Sequence, residues 1–128
     1  MRNSDEIFEV VQGQLDLITV TSEGLAASKE RAARFLVIQA TLIEYLRQVD
    51  EELAKHSTLK EATYASKINK LDGKNITEKK INIATDVEYS SIRESYEDLE
   101  ALREWVKGHI KLFENAHILY RGFSREER

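Results

Sequence analysis

The chain has no cysteine and no proline among its 128 residues. The first absence excludes a disulfide framework and any thiolate metal site, and makes an intracellular, reducing location the expectation. The second leaves long helices uninterrupted, and a charged fraction of 33% suits them. No apolar run approaches the roughly 20 residues that cross a bilayer. The acidic start MRNSDEIFEV lacks the basic region of a secretory signal. A soluble, cytoplasmic, one-domain protein follows as the expectation. A formal net charge of −4 argues against the whole chain being a general polyanion binder, so a nucleic-acid site has to be local.

Chemical motifs are equally sparse. His56, His109 and His117 are too widely spaced for a close metal motif, and Phe113 lies between the last two. Glu94, Glu97, Asp98 and Glu100 crowd one stretch, but no histidine stands at the Glu-x-x-His spacing of a carboxylate-bridged metal pair. The DGKN segment lacks the length of a phosphate loop and the strand before it, and no serine is placed as an activated nucleophile. No enzyme activity, cofactor or metal is expected.

What the chain does contain is a long final stretch, residues 85–123, in which Ile92, Tyr96, Leu99, Val106, Ile110, Phe113 and Tyr120 recur at threes and fours. Arg103 and His117 fill the gaps, so one apolar stripe runs the length of a helix. Thr85 and Glu88 stand in the relation of a capping box, and Asp86 adds charge at the positive end of the dipole. Leu102, Trp105, Leu112, Ile118 and Leu119 lie off this stripe. A partner helix cannot cover them all, which points to an oligomer contact. Residues 82–100 hold six acids against Arg93, whereas Arg103, Lys107, Lys111 and Arg121 outnumber Glu104 and Glu114 further on. That sign change suits antiparallel or head-to-tail contacts between copies, and equally a solvated face.

Before it, residues 1–21 show partial alternation around Leu15, Leu17 and Thr19, with Gly13 interrupting a helix, and read as a short extended arm. A long helix is expected over residues 22–71, with Gly24 allowing the turn at its start. Its seam is Phe35, Leu42, Leu46, Val49 and Leu53, continued after His56 by Leu59, Tyr64, Ile68 and Leu71. His56, Ser57 and Thr58 are weak helix formers and predict a kink or a polar patch there. At about 1.5 Å per residue such a helix would be close to 70 Å long. Gly73, between Asp72 and Asn75, ends it, and Thr77 caps a short helical turn within residues 72–84. The fold expected is an elongated antiparallel helical hairpin, coiled-coil-like and all-α.

The bend of this hairpin carries the one local charge anomaly. Lys67, Lys70, Lys74, Lys79 and Lys80 fall within fourteen residues, opposed there only by Asp72 and Glu78, with Tyr64 one turn from Lys67. Dispersed lysines suit successive phosphates of a flexible strand, and an aromatic ring can stack on a base. Cations also complement any helix C-terminus, so the same cluster fits an ordinary soluble helix end.

The segment YASKINKLDGK, with Tyr64, Lys67, Lys70, Asp72 and Gly73, and the tail IKLFENAHILYRGF, with Ile110, Ile118, Arg121 and Phe123, resemble the small recombination mediator proteins of tailed phages, the UvsY type. The likeness covers most of the length in layout but only these two stretches in residues; the turn here is shorter and has no arginine. The resemblance implies a helical hairpin that assembles into a ring through its C-terminal helix and binds single-stranded DNA. It further implies loading of a RecA-like recombinase onto strands covered by single-strand-binding protein, in the cytoplasm of a host cell. Lys67 and Lys70 would be the first strand-binding bases, Lys74, Lys79 and Lys80 would support them, and Tyr64 would be the stacking platform. Trp105, Leu112, Phe113, Ile118, Leu119 and Tyr120 would close the ring. Gathering several weakly basic bends would offset the acidic bulk. The competing reading is a structural or regulatory coiled-coil protein whose partner is another protein. An inhibitor of a host factor or an assembly chaperone would be of that kind.

Overall fold

The computed structural model describes residues 3–18, 24–70 and 75–126. They form four helices: α1 (Ser4–Leu15), α2 (Leu25–Ile68), α3 (Ile76–Ala84) and α4 (Val87–Glu126). No strand occurs among the described residues. The chain divides into two compact units, one of Met1–Gln48 with Glu104–Arg128 and one of Val49–Arg103. The long helices α2 and α4 contribute to both and pack against each other in each.

The first unit holds most of the core. Phe35 of α2 packs on Phe113 of α4, with ring centroids 5.9 Å apart, and edge-on against Tyr120 at 5.3 Å. Leu42, Ile38 and Tyr45 continue the α2 face, and Val106 and Ala116 the α4 face, all buried. Because residue numbers rise on one helix as they fall on the other, the two run antiparallel here. One hydrogen bond fixes their register: His117 donates from Nδ1 to the Ala32 carbonyl at 2.8 Å. The Tyr120 hydroxyl donates to the Leu17 carbonyl at 3.2 Å and so ties α4 to the turn that follows α1.

The expected extended arm is instead the helix α1. Asn3 caps it, its side chain accepting from the Asp5 amide at 2.9 Å, and Asp5 and Glu6 favour the positive end of the dipole. Ile7 and Val11, four residues apart, are buried in the first unit, and Phe8 meets Trp105 edge-on with centroids 4.6 Å apart. The helical period of Ile7 and Val11 overrides the alternation near Leu15, and Gly13 sits inside the helix with open space around it. Tertiary burial thus decides the local conformation.

Gly24 precedes α2 with φ +111°, a conformation that glycine takes without strain, and its carbonyl accepts from the Ser28 amide at 2.9 Å. Ser22, where the helix was expected to begin, lies outside the described residues, as does the Leu71–Gly73 stop. The helix α2 runs unbroken through His56–Thr58. His56 Nδ1 is bonded to the Glu52 carbonyl at 2.9 Å and Thr58 Oγ1 to the Ala54 carbonyl at 3.1 Å, so the polar groups fold back onto their own helix.

The second unit is sparsely cored. Val49, Ile68 and Ile83 are its buried apolar side chains among the described residues. The α2 face that meets α4 here is polar: Lys60 lies over the Tyr96 ring at 4.5 Å, and Asp50 pairs with Arg103 at 2.7 Å. Leu59, expected on the seam, is half exposed instead, because the inward phase passes through His56, Lys60 and Thr63.

Candidate nucleic-acid interface

The basic segment belongs to the second unit, where the last turns of α2, the helix α3 and the first turn of α4 come together. Each start is capped by a residue other than the one expected. Asn75, not Thr77, caps α3 by accepting from the Glu78 amide at 2.9 Å. Asp86, not Thr85, caps α4 by accepting from the Tyr89 amide at 2.9 Å. Thr85 closes α3, its hydroxyl donating to the Asn82 carbonyl. With Asp86 as the cap the third residue of the helix is Tyr89, which has no side chain able to reach back to the cap amide, so the capping box is not formed.

Asp86 does a second task. Lys67 Nζ stands 2.8 Å from its Oδ1 and 3.1 Å from its Oδ2, and 2.9 Å from Glu88 Oε2. The hydrogen bond from Lys67 holds the Asp86 carboxyl below its ordinary range, with the Tyr89 amide adding to the effect. The bond to Asp86, then that to Glu88, raises the Lys67 ammonium above its own. Lys67 is therefore committed within the chain. It ties the end of α2 to the start of α4.

Lys70 and Lys80 are exposed and Lys79 is half-buried, and none of the three makes an ion pair among the described residues. Lys74 lies outside the described residues. Tyr64 is half-buried with its ring 5.8 Å from that of Tyr89, so an aromatic pair, not a lone ring, faces this region. An open groove of about 520 Å³ is lined by Thr63, Ser66, Lys67, Lys70, Asp86 and Glu88. Its charge is mixed, with Lys67 neutralising the acids at the helix start. Asp86 and Tyr89 were not expected at this site. The signal for Asp86 was its place one residue before the α4 helix, which a cap–lysine pairing uses directly.

The six residues assigned to assembly divide by burial. Phe113 and Tyr120 are fully buried in the first unit, against Phe35, and present no surface to another chain. Trp105 is half-buried between Phe8 and His109. Leu112, Ile118 and Leu119 are exposed. Phe113 and Tyr120 are thus core residues, because the main α4 stripe is spent on α2.

Comparison with protein-family models, curated proteins and solved structures finds no match.

Among the described residues no group of three or more His, Asp or Glu side chains is placed to hold a metal, and no helix is long and apolar enough to cross a membrane. The three histidines are each engaged through Nδ1 with a backbone carbonyl. A carbonyl only accepts, so in each ring Nδ1 carries the proton.

Proposed function

We propose that the protein is a non-catalytic mediator of the UvsY type that binds single-stranded DNA through the basic end of its second unit and assists a RecA-like recombinase. One observation carries this reading. Lys67 is paired with Asp86 and Glu88, while Lys70, Lys79 and Lys80 make no ion pair among the described residues, in the same unit as the Tyr64–Tyr89 ring pair. Lysines free of protein partners release counterions when they meet phosphates, and the rings offer bases a stacking surface without sequence readout. The hairpin, its assembly into copies, and the ordering of strand-covering and recombinase proteins belong to the same proposal. The chain's net negative charge requires that several copies act together.

The test is binding of a fluorescent unstructured oligonucleotide across a range of salt. The reading expects affinity that is independent of base sequence and falls with salt, with a slope of about 0.7 per phosphate contacted. Binding that ignores salt, or none at low salt, removes it. A second reading, a coiled-coil protein that acts on another protein, is favoured by the exposed Leu112, Ile118 and Leu119 on α4. Its mark would be an intact fold with no affinity for the strand.

A further inference from the structure

A second exposed apolar surface, distinct from the α4 face considered above, lies on α2. Between Ala32 and Leu46 this helix carries apolar side chains on every side. Phe35, Ile38, Leu42 and Tyr45 face inward and are buried. On the outer side Leu36, Val37 and Ile43 remain 53%, 66% and 56% exposed, with Ala33 and Ala40 exposed between them. These five recur at spacings of three and four, which places them on one side of the helix. A helix apolar on every side is normally covered on every side. The neighbouring surface extends the patch: Val10 of α1, 41% exposed, lines with Val37, Ile38 and Thr41 a groove of about 330 Å³.

We propose that this face is where a second copy of the chain docks, α2 lying antiparallel on α2 about a two-fold axis that passes between Gln39 and Ala40. The charges at the two ends of the patch select that occupant and that direction. Arg34, paired with Glu30 at 2.9 Å, closes one end, and Glu44, paired with Arg47, closes the other. No charged residue lies between Arg34 and Glu44 in the sequence. Parallel pairing turns the flank of Arg34 and Glu44 toward the apolar Leu36–Ile43 flank of the second copy. Antiparallel pairing sets Arg34 beside Glu44 of the second copy twice, on the flank that also brings Val37 near Thr41. On the other flank it stacks Leu36 on Ile43 of the second copy, again twice. Ala40, at the axis, has the small side chain that lets two helices approach. The patch is thus complementary to itself when reversed, which a surface for an unrelated partner has no reason to be. The proposal does not rest on the strand-binding reading, since every residue it uses lies in the first unit.

The full chain is measured by light scattering and sedimentation at micromolar concentration. Leu36→Glu with Ile43→Glu, both on exposed positions, is expected to reduce the mass at least two-fold relative to the unaltered chain while the helical circular dichroism is kept. Arg34→Glu alone is expected to weaken association at low salt, and Arg34→Glu combined with Glu44→Arg to restore it. Since the chain has no cysteine, Ala40→Cys provides a geometric readout that needs no loss of association. Oxidation should link two copies through that single position, whereas Glu61→Cys, an exposed position in the second unit, should not give the same yield. A monomeric unaltered chain overturns the proposal and assigns the face to a different protein. An assembly whose mass survives Leu36→Glu with Ile43→Glu also overturns it.

Discussion

Lys67 Nζ and the Asp86 carboxylate, 2.8 Å apart, join the last turn of α2 to the residue that caps α4. One carboxylate so serves as helix cap and as counterion, and the first base of the cationic segment becomes a strut. This pairing also sets a pH dependence whose sign is fixed. Asp86 is held below its ordinary range by Lys67, so its contribution is present above about pH 4 and is lost as pH falls through the depressed folded value. Lys67 is held above its range by Asp86, so its contribution is present below about pH 10 and is lost as pH rises through the raised value. Melting temperature followed from pH 2 to pH 11 should show both declines. In Lys67→Met the acid decline should shrink and the alkaline one diminish, and an unchanged profile would contradict the pairing.

Phe113 and Leu112 are adjacent in the chain and opposite in role. Phe113→Ala removes a fully buried ring packed on Phe35 and should cost about 3–5 kcal/mol of stability in urea unfolding. Leu112→Glu, on an exposed position, should leave the unfolding midpoint nearly unchanged. Comparable losses at both sites would show that α4 is turned differently.

The Tyr45 hydroxyl is buried and has no hydrogen-bond partner among the described residues, and burial pushes its pKa up. Tyr45→Phe removes the unpaired polar atom and keeps the ring. Unfolding free energy should rise by about 1 kcal/mol. A clear loss of stability would mean that the hydroxyl has a partner.

Two glycines should respond with opposite signs. Gly108 lies in α4 with nothing within 4 Å of an added Cβ, so Gly108→Ala should stabilise by about 0.5–1 kcal/mol. Gly24 has φ +111°, so Gly24→Ala should destabilise by about 1 kcal/mol despite equally open space. Thermal unfolding of the two variants measures both, and shifts of the same sign would be inconsistent with the backbone described.

Much of the helical layout was legible in residue spacing. The α4 stripe needed only the recurrence of Val106, Phe113 and Tyr120, all of which are fully buried, and Phe35, Leu42 and Val49 were equally plain on α2. The helix α1 was missed because the alternation of Leu15, Leu17 and Thr19 drew attention from the four-residue spacing of Ile7 and Val11. Leu59 is apolar yet half exposed, so apolarity does not mark the inward face at that level of α2. In the second unit that face is built from Lys60, Thr63 and Lys67 meeting tyrosines and carboxylates, and polar seams leave no hydrophobic period to read. The role of Lys67 was hidden for a related reason: its partners Asp86 and Glu88 are nineteen and twenty-one positions away, a pairing that only the fold brings about. The outer face of α2 was open to detection, since FLVIQATLI is too apolar for a helix with one buried side.

Strand affinity compared between two variants tests the central claim most directly. Lys70→Ala with Lys79→Ala and Lys80→Ala should weaken oligonucleotide binding about equally for every sequence and flatten the dependence on salt. Lys67→Met, which breaks the strut, should lower the melting temperature while leaving the salt slope as it was. If instead the Lys67 variant alone flattens the slope and the triple variant binds like the unaltered chain, the division between a structural Lys67 and strand-facing Lys70, Lys79 and Lys80 is wrong.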